Sequence, residues 1–132
     1  MIMVSLIYCS IPSRLVLADA TILSKINNYV IDRGELPLNP YMIFPPNIHN
    51  HPKINLEKEL ALNYYSRFVD SCERLWLFGI SDGTLRESSR VKKQGKAIGL
   101  HLEFDPEWKK YYSQLKGHYS DHLDDLIKVK YG

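Results

Sequence analysis

Cysteine is nearly missing from this chain: Cys9 and Cys72 are the only two in 132 residues, and no CxxC pair occurs. A disulfide framework and a cysteine-built zinc site are thereby excluded, and buried reduced thiols in a reducing compartment are the expected state. Net charge is scarce as well. Lys and Arg number 17 against 15 Asp and Glu, which leaves +2 at neutral pH, and neither sign is massed on one segment. That balance argues against a nucleic-acid polymer or an anionic membrane as partner. No apolar run is long enough to span a bilayer. The opening "MIMVSLIYCSI" lacks both a basic leader region and a small-residue cleavage site. It reads as a first buried strand, and the expected location is cytoplasmic. Internal repeats and low-complexity tracts are also lacking.

Hydrophobic residues at 45% and charged residues at 24% are ordinary for a soluble globular chain. The length suits a single domain over residues 1–132, with a core at 3–104 and a helical C-terminal extension at 105–132. Within it the apolar pattern alternates in type. Met3 to Cys9 is short and β-rich. Ala18, Ile22, Ile26, Tyr29 and Val30 recur at helical spacing, closed by Gly34 as a C′ residue. "ELPLNP" reads as a second strand near an edge, since proline breaks a central ladder. Residues 41–53, "YMIFPPNIHNHPK", read as a long loop. Asn55 is a candidate cap for a second helix striped by Leu56, Leu60, Tyr64, Phe68 and Cys72.

"RLWLFGI" has no polar alternation, as expected of a strand covered on both faces. A third helix over Thr84–Gln94 ends at Gly95, and "AIGLHL" is a fourth strand. Asp105-Pro106 then starts a C-terminal helix, with a last helical piece at Asp121–Val129. This βαβ alternation predicts an α/β fold: a doubly wound, mostly parallel sheet of four to five strands, flavodoxin- or Rossmann-like.

In such sheets ligands bind where the first and third strands end side by side. That brings "YCSIPSR" near "GISDGTLRE". The amides opening the third helix, with the hydroxyls of Ser10 and Ser81, suit an anionic oxygen, and Gly83 permits close approach of the backbone. Glu87 lies about one turn into the helix and can point into the cleft. The plainer reading of the same residues stands beside this one. Ser81 or Asp82 is an ordinary N-cap, Gly83 a turn residue, and Glu87 a first-turn acid favoured by the helix dipole.

Taken in order, "YCSIPSR", "LPLNP", "CERLWLFG", the S-x-G-x-x-x-E of Ser81, Gly83 and Glu87, and "GKAI" resemble the nucleoside 2-deoxyribosyltransferase-like superfamily, in a small uncharacterised bacterial and phage branch. The resemblance runs over residues 3–103. It implies cleavage or transfer of an N-glycosidic bond in a nucleoside or nucleotide, with Glu87 attacking the anomeric carbon. Ser81, where transferases carry Asp, implies a nucleotide phosphate. Asp82, Gly83, Ser10 and Asn39 complete the implied ligand-binding set. The superfamily's acid on the second helix falls at Tyr64 or Tyr65, beside Asn63. Its nucleophile-orienting tyrosine aligns with Ile7, so Tyr8 substitutes only if the strand end is bulged. The resemblance also implies a homo-oligomer whose C-terminal segment completes a neighbour's site, and no cofactor.

No metal is expected. His49-Asn50-His51 reads as loop polarity and the His118–His122 pair as a solvated helix face, since neither has further ligands in sequence. Trp76 reads as core, and Trp108, Tyr111 and Tyr112 as packing or a self-association patch. Two functions therefore stand open: an N-glycosidase or transferase using Glu87, or a protein that binds a nucleotide or nucleotide signal in the same cleft without turnover.

Overall fold

The computed structural model describes residues 3–43, 51–53, 59–112 and 128. Strand β1 (Leu6–Ser10) leads to α1 (Ser13–Ala18) and α2 (Ile22–Asp32). Then come β2 (Leu36–Leu38), α3 (Pro40–Ile43), α4 (Leu60–Ser71), β3 (Arg74–Leu77), α5 (Asp82–Lys93) and β4 (Ala97–Leu100). A 3-10 turn at Leu102–Phe104 and a short α6 (Lys109–Tyr112) follow. The four strands form one sheet in the order β2-β1-β3-β4, and every pairing is parallel. This is the flavodoxin-like order, and it places β1 beside β3 at the centre, where the direction of winding reverses.

Both faces are covered, and the strand alternation decides which residues go where. Ile7 and Cys9 join Ile26, Val30 and Phe78 under α1 and α2. Tyr8 joins Val69, Leu75, Leu77, Leu85 and Val91 under α4 and α5. Ile26 and Val30 are 0% exposed, and burial of such a side chain stabilises by roughly 1.5–3 kcal/mol. Both cysteines are free and buried, and burial pushes the Cys9 thiol up to about 12.

Two of the helices that return to the sheet, α2 and α5, end by the same device. Gly34 and Gly95 take positive φ, 78° and 73°. The amides after them reach back to Val30 and Val91 carbonyls at 3.2 Å, which satisfies carbonyls left over at a helix end.

Several expectations are corrected. The first helical stripe is two helices broken at residues 19–21, because Asp19 accepts from Thr21 N and Oγ1 there. Ala18 is therefore an exposed end of α1, not part of the α2 stripe. Met3 is 84% exposed and lies before the strand. Tyr41 to Ile43, read as loop, belong to α3. Asp105 does not cap a helix at Pro106: residues 106–108 form a turn, and the helix begins at Lys109. Asn55, Leu56 and most of Asp121–Val129 lie outside the described residues, as do His49, Asn50, His118 and His122. Trp108 is buried in the core under α4 and α5.

Candidate functional site

Glu87 sits on α5, and the helix is fixed at its start by a reciprocal cap. Ser81 Oγ accepts from Thr84 N at 3.2 Å, while Thr84 Oγ1 accepts from Ser81 N at 2.8 Å. Such a box satisfies amides that the first turn otherwise leaves open. Leu85, Ser88 and Val91 turn toward the sheet and are buried. The adjoining stripe, with Gly83, Glu87, Arg90 and Lys93, then faces a cleft, as spacing of three and four dictates.

From the sheet, β1 supplies two hydroxyls to the carboxylate. Tyr8 donates to Glu87 Oε2, and Ser10 donates to Oε1 at 2.8 Å. Residues 8 and 10 share one face of the strand, so both reach α5 without distortion. The expectation of a bulge is overturned. β1 pairs with β3 in unbroken register from Ile7↔Arg74 to Ser10↔Leu77, and Ile7 is on the opposite face. The position one residue from the aligned one is the position that faces the acid.

Burial dominates the state of Glu87 and pushes its carboxyl up to about 7. The Tyr8 and Ser10 donors and the nearby Arg86 charge pull the other way. Desolvation penalises the ionised form, whereas donors and cations favour it. Tyr8, fully buried, is raised well above its ordinary value, first by burial and then by the Glu87 charge. Tyr41 and Tyr65 are raised chiefly by burial, and the charge of Glu87 adds to both. Three phenols therefore stay protonated around one carboxylate.

The cleft has a volume of about 840 Å³, within the range of small-molecule sites. It is lined by Tyr8, Ile11, Tyr41, Tyr65 and Val69 and, from α5, by Arg86, Glu87, Arg90 and Lys93. Among the described residues lining it, the carboxylates are Glu87 and Asp82. Asp82 is exposed, in the first turn of α5. Gly83 is exposed too, and a Cβ there would meet only Ser81 Oγ at 3.9 Å, so crowding within the chain does not require glycine at this position.

The predicted site residues are thus divided. Glu87, Tyr8, Tyr65, Ser81, Asp82 and Gly83 line the cleft, and Ser10 touches Glu87 from behind it. Tyr64 is not among the lining residues. Asn39 is buried away from it, donating to Asn27 Oδ1 at 3.2 Å and accepting from Tyr41 N at 3.2 Å, so it shapes the β2–α3 corner. Asp70, one turn beyond Ser66, is bound by Arg90 at 2.7 Å through both oxygens and by Gln94 at 2.6 Å, which hold its carboxyl below the usual range. Sequence reasoning did not assign Arg86 or Lys93 to the site. For the two cations a signal existed, since both lie on the Glu87 side of a helix.

Behind the cleft, Asp105 is 0% exposed and gathers the loops that build it. It accepts from Arg14 Nη1 at 3.0 Å and Nη2 at 2.6 Å, from Ile80 N at 3.0 Å and from Glu107 N at 3.1 Å. Arg14 also donates to Ile80 O at 2.9 Å. The loops after β1 and β3 are joined through this one carboxylate.

A family model described as a domain of unknown function (DUF7768) matches residues 7–101. The chain belongs to this family. No curated protein and no solved structure matches the chain. The match takes in the DUF7768 strands from Ile7 onward together with Tyr8, Ser10 and Glu87, and stops short of Asp105. Among the described residues, no helix is long and apolar enough to cross a membrane. No group of three or more His, Cys, Asp or Glu among them is placed to hold a metal ion.

Proposed function

We propose that this protein cleaves or transfers the N-glycosidic bond of a nucleotide, as its resemblance to the nucleoside 2-deoxyribosyltransferases implies, with Glu87 as nucleophile. The observation that carries this reading is the pair of hydroxyls, Tyr8 and Ser10, fixing the two oxygens of Glu87 at the wall of the cleft. A glycosidic bond breaks through an oxocarbenium-like state, and a carboxylate held against the ring stabilises or traps that cation. An ordinary first-turn helix acid has no need of two strand hydroxyls and a cavity before it. Arg86 and Lys93 on the same wall favour an anionic ligand, hence a nucleotide over a free nucleoside.

A non-catalytic nucleotide binder is the second reading, and one observation favours it. Where the superfamily places a carboxylic acid, this cleft presents Tyr65, a phenol that gives up its proton reluctantly. Incubation with nucleoside and deoxynucleoside monophosphates of both neutral and cationic bases, followed by chromatography for free base, separates the two. Release that disappears in Glu87→Ala supports catalysis. Tight binding without release, surviving in Glu87→Ala, supports the binder. Neither release nor binding removes both.

A further inference from the structure

The chemistry opposite Glu87 narrows the substrate class, if the glycosidic reading above is granted. When a neutral base departs, the electron pair of the broken C–N bond goes to a ring nitrogen that needs a proton, and a positioned acid normally supplies it. Tyr41 and Tyr65 line the same cleft as Glu87, and Tyr8 donates to its carboxylate. All three are phenols whose protons are held more tightly than usual by burial and by the charge of Glu87. They make poor acids near neutral pH. As aromatic faces they are well suited to a cation, which is drawn to the negative face of a ring.

We propose that the base leaving this cleft is positively charged before the bond breaks, an N-glycosylpyridinium or an N-alkylated purine, with Glu87 taking the anomeric carbon opposite the rings of Tyr41 and Tyr65. The balance closes without an acid. A carboxylate oxygen of Glu87 forms a bond to the anomeric carbon as the C–N pair moves onto the cationic nitrogen, and the base leaves neutral. Water then attacks the glycosyl ester, the sugar leaves with a hydroxyl, Glu87 is restored as carboxylate, and one proton passes to solvent per turnover. The cations Arg86 and Lys93 come from the same helix as Glu87 and line the cleft with it; they suit a phosphate, and the tyrosine rings suit the charged base.

The test uses the intact chain and four probes: nicotinamide mononucleotide and N7-methylguanosine 5′-monophosphate as cationic-base nucleotides, and guanosine and deoxyguanosine monophosphates as neutral ones. Released base is quantified against enzyme-free controls. The expected result is a kcat/KM about 100-fold or more higher for the cationic probes, the lower end of what a positioned acid contributes. With nicotinamide mononucleotide, whose charge does not titrate, the rate should rise with pH through the Glu87 titration, near 7, and stay level above it, with one proton released per base; Glu87→Gln should lose release with both cationic probes. Equal or faster release from the neutral probes, or a falling alkaline limb with nicotinamide mononucleotide, overturns the cationic-base assignment while leaving glycosidic cleavage intact. No release from any of the four removes both readings.

Discussion

The hydroxyl of Tyr8, in the middle of a central strand, donates to Glu87 Oε2 on the helix packed above it, 79 residues further along the chain. This contact opposes the desolvation of the carboxylate, so its removal has a defined sign. In Tyr8→Phe the titration midpoint of Glu87, followed by carboxyl-carbon NMR, should move up by roughly one pH unit, the equivalent of one hydrogen bond to a charged group. A midpoint that stays in place would mean that burial, Ser10 and Arg86 set the ionisation without Tyr8.

Glu87 also makes stability depend on pH. Its folded value of about 7 lies above the ordinary 4.5, so between these the folded state holds more protons than the unfolded one. Stability should therefore fall as pH rises from about 4.5 to 7 and level off beyond, by on the order of 3 kcal/mol for this group. Denaturant unfolding of the native chain and of Glu87→Gln at pH 5 and pH 8 checks this. Buried His101, lowered to about 4, acts in the opposite sense over part of this window, so the Glu87 contribution is the difference between the two proteins, and the variant should be the more stable one at pH 8.

Asp105 should be among the least tolerant positions in the fold. Replacement by Ala strips Arg14, Ile80 N and Glu107 N of their shared acceptor in a fully buried place. Breaking a buried pair from one side costs about 3–5 kcal/mol, and the partly exposed Arg14, at 35%, places the expectation at the lower end. Asp70→Ala, which breaks the exposed pair with Arg90, should cost about 1 kcal/mol or less. Urea midpoints of the two variants give the comparison.

Gly79 allows the close approach of the two loops that Asp105 joins. A Cβ at this residue would lie 2.6 Å from Pro12 and 2.9 Å from Asp105 Oδ2. Gly79→Ala should destabilise by about 1–3 kcal/mol, as overpacking does. Gly83→Ala, with open space around it, should leave thermal stability nearly unchanged and so makes the control.

The sheet was legible in the sequence because its evidence is local. Unbroken apolar runs at Ile7 and Leu75, helical stripes between them, and glycines at 34 and 95 mark the four strands, α2 and α5 within a few residues of their bounds, whereas α1 and α3 carry no such mark. Glu87 was legible for the same reason, one turn past a serine cap. What faces it was less so. Whether Tyr8 or Ile7 points at the helix is decided by which face of β1 lies against α5, and a one-residue alignment error reverses that. The choice of Tyr65 over Tyr64 depends on the rotation of α4 about its axis. Arg14 and Asp105 are separated by 91 residues, and nothing in either neighbourhood announces the other.

The position of Asp105 beyond the last strand has a consequence for fragments. A piece cut at residue 101 would retain all four described strands and both hydroxyls that hydrogen-bond Glu87, yet would surrender the acceptor that ties Arg14 to the Ile80 amide. Such a piece should hold its secondary structure while the rims of the cleft come loose. The same logic applies on the ribosome: the pocket cannot take its working shape until the segment after β4 has emerged.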